Sequence, residues 1–439
     1  MALGGGTFLT QNKILPGSYI NFVSVDRASA TLSDRGIAAL PLPLGWGPEG
    51  EVFAVTNDAF QRDSLKIFGY PYTADELKGL RDFFQSAKTG YFYRLNADGV
   101  KASNTYATAK YPGIRGNSLR IVIEENEASE PEGKLYNVYT YLDSTLVGEQ
   151  RAVSTAADLT GNDYVDFKSE ASLAATAGTP LTGGTDGTVE DAAWQTALDK
   201  LESYSFNTLG CLSTDDTVKG LYAAFTKRMR DDCGVKFQCV LFRYTKADYE
   251  GVISVENGLT GAEDDPSMVY WVTGAEAGCA VNATLTNTAY TGEFVPKVDY
   301  TQAQLQEGIL SGKLMLHRVG EDIRVLSDVN TFTSVTVEKN ADFSDNQVMR
   351  VLDQIGNDIA VLFNTRYLGK VPNDNAGRIS LWKDICKHHT ELQNIRAIQD
   401  FDSDNVTVTQ GDSKKAVVVT DYVTPVCAMT QLYMTVKVN

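Results

Sequence analysis

Three histidines, His317, His388 and His389, are the candidate bases for a Ser-His-Asp relay in this chain. His317 falls among Leu314, Leu316 and Val319 in a predicted strand, where a histidine satisfied by its neighbours is the ordinary occupant. His388 and His389 are adjacent on a predicted helix. Neighbours in a helix point in different directions, whereas two metal ligands converge at a spacing of four. The run Gly183-Gly184-Thr185-Asp186-Gly187-Thr188 has the look of a phosphate loop. It lacks the Gly-Lys-Ser/Thr ending and does not fit Gly-x-Gly-x-x-Gly. It predicts a flexible or tightly turned connection before a helix, with Thr188 or Asp191 as the cap. Acidic clusters at Asp215-Asp216, Asp231-Asp232, Glu263-Asp264-Asp265 and Asp400 to Asp404 lack calcium-loop spacing. They read as solvated faces, with paired carboxylates for acid-base work as the alternative. No cofactor and no metal are expected.

Composition narrows the field further. Fifty-six acidic against 39 basic residues give a net charge of −17 over 439 residues. Such a charge disfavours nucleic acid and anionic membranes as partners. No stretch approaches the roughly 20 apolar residues of a membrane span. Met1-Ala2-Leu3 followed by Gly4-Gly5-Gly6 has neither the basic nor the apolar region of a signal peptide. Six cysteines without a Cys-x-x-Cys pair suggest reduced, mostly buried thiols in a chain made in the cytoplasm.

The periodicities predict a multidomain α/β and α+β chain. After a first arm over residues 1–25, residues 26–95 form an α/β segment. Its helix opens with a capping box at Thr73 and Glu76 and buries Leu77, Leu80, Phe84 and Ala87. Residues 96–180 hold short strands, including 119–123, 135–142 and 146–153, and form an inserted β-sandwich. Residues 171–188, rich in Ala, Thr and Gly, read as a linker. Residues 181–335 alternate helices and strands as a layered α/β domain, with a hairpin at 314–326 as its antiparallel edge. In its helix over 214–230, Val218, Leu221, Ala224, Phe225 and Met229 form the buried side. Residues 336–415 form a compact α+β domain. One of its helices buries Val348, Val351, Leu352, Ile355, Ile359 and Leu362; the other, over 373–392, buries Ile379, Trp382 and Cys386. Lys383 and Lys387 stand four apart on the wet face of that second helix.

Both ends of the chain are strand-like. In the last 24 residues, 416–439, Leu432, Met434, Val436 and Val438 alternate with polar neighbours, so a strand is expected to the last residue. Thr7 to Gln11 and Tyr19 to Val25 have the same character. Chain ends fray unless something pairs with them. Two strand-forming ends therefore predict pairing within the molecule or lending of strands to neighbours, and the second makes polymers.

The segments Met1 to Phe8, Asn12 to Phe22 with its Pro16-Gly17-Ser18-Tyr19 turn, Tyr111-Pro112-Gly113 with Gly116-Asn117, Gly183 to Gly187 and Asp328-Val329-Asn330-Thr331 resemble those of contractile tail sheath proteins. The likeness is strongest to sheaths of phages, defective prophages and phage-tail-like bacteriocins of Gram-positive bacteria. It implies a central subtilisin-like α/β domain without a protease site, an inserted β-sandwich, and a C-terminal domain near a tail tube. It further implies arms that cross to adjacent subunits, through Thr7, Phe8, Ile14, Tyr19, Ile20 and Phe22 at one end and Leu432, Met434, Val436 and Val438 at the other. Gly17 and Gly411 are then the expected hinges, and Lys383 and Lys387 the tube-facing residues. Six subunits would form a disc, and stacked discs a helical sheath around a tail tube protein, between baseplate and tail terminator proteins, with no nucleic acid and no membrane insertion. The particle would be a virion or phage-tail-like assembly released by lysis. The competing class is a hydrolase on the subtilisin-like domain. A tube protein or adhesin fits the length less well.

Overall fold

The computed structural model describes residues 32–128 and 133–438. The expected N-terminal arm positions Thr7, Phe8, Ile14, Gly17, Tyr19, Ile20 and Phe22 lie outside the described residues.

Ile37–Leu42 (β1) is buried at every position after Ile37, as a strand covered on both faces must be. Val52–Thr56 (β2) leads into a helix at Asn57–Phe68 (α1) that the sequence reading passed over. Its start was signalled: the Thr56 side chain accepts from Ala59 N at 3.2 Å. The next helix, Lys78–Phe84 (α2), follows a short turn capped by Ala74 without a side-chain bond, so the box expected at Thr73 and Glu76 does not form. Leu77, Leu80, Phe84 and Ala87 are buried as expected. Thr89–Arg94 (β3) completes this stretch.

Six strands follow: Ala107–Ala109 (β4), Leu119–Glu125 (β5), Tyr136–Leu142 (β6), Thr145–Val153 (β7), Val165–Phe167 (β8) and Thr176–Pro180 (β9). They form a four-stranded sheet ordered β7-β6-β5-β9 and a pair β4-β8. Leu119, Ile121, Ile123, Val138 and Leu142 alternate into a core shared with Ala107, Ala109 and Val165. The expected linker at 171–188 is mostly structure. β9 lies within it, and beyond β9 the chain returns antiparallel past residues 97–103 through bridges at Thr182, Thr185 and Thr188.

The chain then alternates: helix Asp191–Leu201 (α3), strand Thr208–Cys211 (β10), helix Asp216–Asp231 (α4), strands Gln238–Phe242 (β11) and Val252–Val255 (β12), helices Met268–Gly278 (α5) and Gln302–Leu310 (α6), and strand Lys313–Leu314 (β13). One seven-stranded sheet runs β13-β12-β11-β10-β1-β3-β2. Residues 26–95, expected as a separate segment, thus supply three strands to the sheet of 181–335. The antiparallel edge is β2 against β3. The expected edge hairpin, Leu316–Val319 (β14) with Asp322–Val325 (β15), forms a separate two-stranded sheet, with Arg324 also bridged antiparallel to Ala289, and is not part of the seven-stranded one. On α4, Tyr222 takes a core position and Ala224 is exposed.

The remaining elements are helices Asn346–Leu362 (α7) and Asn375–Asn394 (α8), and strands Ile398–Gln399 (β16), Val406–Gln410 (β17), Val417–Asp421 (β18) and Thr424–Pro425 (β19). The chain divides into two compact units. One contains residues 358–391 and 402–422; the other contains 33–357, 392–401 and 423–438. In the first, Leu362, Leu381, Ile385 and Val406 are buried, and Trp382 Nε1 donates to Val406 O at 3.0 Å. The buried face of α8 therefore carries Leu381, Ile385, His388 and His389. Ile379, expected inside, is exposed, and Trp382 and Cys386 are half-buried.

Candidate assembly site

Strand β18 pairs antiparallel with β17 over five residue pairs, from Val406↔Asp421 to Gln410↔Val417. Each strand has a single hydrogen-bonded neighbour among the described residues. Each therefore presents an outer edge of backbone donors and acceptors, the feature a further strand can extend. A two-stranded ribbon alone is marginal in water. This one is braced at its turn, where Asn373 Nδ2 donates to Ala416 O at 2.7 Å and to Lys414 O at 3.1 Å. Gly411 lies inside that closed turn, its N–H bonded to Ala416 O at 2.9 Å. It is a residue of the hairpin turn, ahead of the C-terminal segment.

The expected strand over 416–439 is realised only at its start. After β18 and the short β19, which pairs with β16, residues 426–438 adopt neither strand nor helix. Three hydrogen bonds hold the chain as it leaves: Val426 N donates to Ala397 O at 2.9 Å, Gln347 Nε2 donates to Val426 O at 3.0 Å, and Ala428 N donates to Gln347 Oε1 at 3.0 Å. Beyond Ala428 every described side chain is exposed, with Leu432 at 85 %, Met434 at 74 %, Val436 at 71 % and Val438 at 90 %. Four apolar residues at period two, all in water, are a strand face without its sheet.

At the other end, Ser33 receives Gln354 Nε2 at its Oγ, 2.7 Å away, and Arg35 donates to the carbonyls of Glu276 and Cys279. Gln347 and Gln354 belong to a face of α7 that the sequence reading missed. Asn346, Gln347, Arg350, Asp353 and Gln354 are all buried, whereas Leu352, Ile355 and Ile359 are only half-buried. Arg350 pairs with Glu276 at 2.6 Å and Asp328 at 3.0 Å, all three without solvent exposure. Arg230 grips Asp353 through two bonds of 2.6 and 2.7 Å. Burial pushes the Glu276 carboxyl up to about 8, while the Arg350 guanidinium, with further help from hydrogen bonds, holds Asp328 below its usual range despite burial. Asp328, Asn330 and Thr331, from the segment that carried part of the family resemblance, are all buried.

The two glycine motifs also meet. Asn117 and Gly184 exchange bonds of 2.8 and 3.0 Å, and Ile114 N donates to Asp186 Oδ1 at 2.8 Å. A Cβ on Gly113 would lie 2.0 Å from Gly45 O, and one on Gly187 would lie 2.0 Å from Ala97 O. Gly183 to Gly187 is thus a fixed knot at the root of the β-sandwich and not a loose connection.

His317 sits in β14 opposite Arg324, and burial lowers its pKa. His388 and His389 converge, contrary to expectation: their Nδ1 atoms lie 3.2 Å apart, while Nε2 of His388 meets Asp358 at 2.9 Å and Nε2 of His389 meets Asp421 at 2.5 Å. Among the described residues no group of three His, Cys, Asp or Glu is placed to hold a metal ion, and no helix is long and apolar enough to cross a membrane. Lys383 and Lys387 are both exposed on α8, and Lys387 lies 3.8 Å from Glu391.

Family models match nearly the whole described chain in order: the tail sheath protein Gp18 domain III N-terminal region over 35–95, the phage tail sheath protein β-sandwich domain over 97–186, the central domain over 187–331 and the C-terminal domain over 338–439. The chain is 31% identical to the phage-like element PBSX protein XkdK of Bacillus subtilis, with both chains covered in full. It is 36% identical to a sheath tail protein of Desulfitobacterium hafniense, with a TM-score of 0.80 over 93% of this chain and 96% of that one. The anti-feeding prophage helical sheath in its contracted state shares the fold at 13% identity, with a TM-score of 0.55 over 97% of this chain and 99% of that one. The chain belongs to the phage tail sheath protein family.

Proposed function

We propose that this tail sheath subunit polymerises by lending strands between copies: the segment beyond Ala428 adds to the β17–β18 hairpin of a neighbour. The observation that carries this is the coexistence, among the described residues of one chain, of an exposed alternating segment and a ribbon with two outer edges. Strand addition satisfies backbone groups across chains and tolerates rotation of the domains it joins. The sheath subunit is structural. It assembles helically around a tail tube and contracts to drive the tube through a target envelope. Discs of six, a baseplate and terminator at the ends, synthesis in the cytoplasm and release by lysis complete the proposal, which rests on the family's architecture.

The joint of the C-terminal arm falls at Ala428, where the grip of Gln347 ends. The N-terminal arm, through Thr7 to Phe22 with Gly17 as its hinge, is proposed to act alongside it. Lys383 and Lys387 are proposed to face the tube, as a basic pair on an acidic subunit. Electron microscopy of the purified chain tests the whole: cylinders or rings are expected, and a monodisperse monomer at high concentration across a range of salt contradicts it.

A further inference from the structure

We infer that the protein binds a single halide-sized anion in a cavity at the N-terminal ends of three adjacent parallel strands. In the seven-stranded sheet β11, β10 and β1 are neighbours. Arg35 precedes β1, Asn207 precedes β10, and Lys236 precedes β11. With Arg350 and Asp353 of α7 these residues line one cavity of about 20 Å³. A single water-sized sphere needs about 10–15 Å³ on that measure, so one small group fits and a bulky organic anion does not.

The lining offers donors and positive charge in excess. Arg35 donates through Nε and Nη2 to the carbonyls of Cys279 and Glu276, at 2.9 and 3.0 Å. Lys236 Nζ donates to Arg230 O. Neither cation has a carboxylate partner among the described residues. Arg350 commits Nη1 to Ala283 O and Nη2 to Glu276 and Asp328. Its Nε is left buried, with no acceptor among the described residues. Asn207 accepts at Oδ1 from the N–H groups of Gly36 and Ile37, which leaves its Nδ2 as a further donor. The carboxylate in this lining, Asp353, is held at both oxygens by Arg230. A buried guanidinium N–H without an acceptor is costly. Water satisfies the hydrogen bond alone, whereas an anion satisfies the bond and offsets the charge. Glu276, raised to about 8, is mostly protonated at neutral pH, so Arg350 is balanced by Asp328 and the charges of Arg35 and Lys236 remain over. Burial first, and then the Arg350 charge, lower the Arg35 guanidinium from its usual 12.5 to about 10, as positive charge without full compensation should. The anion fastens α7 to the end of the sheet where three strands begin. This site does not depend on the strand-lending proposal.

Urea unfolding of the full-length chain tests it, with sodium chloride or sodium bromide replacing sodium gluconate at constant ionic strength. Gluconate is too bulky for the cavity. General salt effects are close to linear in concentration and are shared by parent and variants, whereas binding at one site saturates. The parent is expected to gain stability saturably with either halide. Its unfolding equilibrium constant should fall about elevenfold when the halide stands at ten times its dissociation constant. Asn207→Asp keeps the bonds from Gly36 and Ile37 but turns the donor at the cavity into a carboxylate oxygen, and Lys236→Gln removes one cation. Both should lose the saturable effect, and Lys101→Gln, at an exposed lysine away from the cavity, should keep it. A parent without a saturable halide effect overturns the inference, and so does an effect that Asn207→Asp leaves intact. If the variants fail to fold, crystals of the parent soaked in sodium bromide supply the second readout. An anomalous peak in the cavity against Arg350 Nε is expected. A water in that position overturns the inference, as does bromide in the crystal with no halide effect in solution, which is binding at crystal concentration only.

Discussion

Gln347 and Gln354 stand two turns apart on α7, about 10 Å along its axis, and each holds one exit of the chain. Gln347 brackets Val426 and Ala428; Gln354 bonds Ser33. In a sheath, tension on an arm would be delivered to this one helix. Gln347→Ala removes two bonds to the departing chain and a third, at 3.2 Å, to Asn282 O. The expected cost is about 1–3 kcal/mol, with faster proteolysis over 423–428. Unchanged cleavage there would mean that the exit is held by something else.

The helix itself is anchored by charge. Removing Arg350 would leave Asp328 buried without its cation, at a cost of about 3–5 kcal/mol. Arg350→Met should therefore unfold at markedly lower denaturant than the parent chain. A midpoint within error of the parent would contradict the assigned role.

Glu276 gives the same network a pH signature. Its carboxyl is raised from 4.5 to about 8, chiefly by burial and then by the Asp328 charge. A folded-state pKa above the unfolded one contributes stability that is full below pH 4.5 and is lost as pH rises through about 8. Asp328 has the opposite sign, since its pKa is lowered, so its contribution is lost on acidification. Urea midpoints should show that Glu276→Gln flattens the decline on the alkaline side. A decline identical to the parent's would assign that slope to other groups.

The knot at the sandwich root separates glycines that look alike in sequence. Gly113→Ala and Gly187→Ala place a Cβ 2.0 Å from backbone oxygen at positive φ, and each should cost about 2–4 kcal/mol or prevent folding. Gly183, with φ +81 and open space around it, should tolerate alanine at about 1–2 kcal/mol. Thermal unfolding of the three variants checks the ranking, and equal losses would refute it.

What the sequence displayed depended on how each element is buried. Strands β5 and β6 were legible because one face is apolar and the other wet. β9 was not: Thr176–Pro180 is an edge strand with Gly178 at φ +146, and its composition is that of a linker. The docking face of α7 escaped notice because Arg350, Asp353 and Gln354 have the spacing and chemistry of a solvated stripe, and only their partners on other elements reveal the burial. His388 and His389 were misjudged for a related reason. Adjacent side chains on a helix diverge at Cβ, but buried rings that reach to Asp358 and Asp421 on either side still meet at Nδ1. The arm was legible as alternation, although among the described residues it pairs with no strand.

Lys383→Glu with Lys387→Glu should change stability by no more than about 0.5 kcal/mol, because both side chains are exposed. Co-purification of the tail tube protein with the sheath should fall. Undiminished recovery would remove α8 as the tube-facing element.

The strand-lending account stands or falls on the last residues. Deleting residues 430–439 leaves every contact of Gln347 in place and removes the exposed alternating face. Electron microscopy of that truncated chain, alongside its unfolding curve, is expected to show a normally folded protein that forms no cylinders. Sheaths of ordinary length from the same preparation would contradict it.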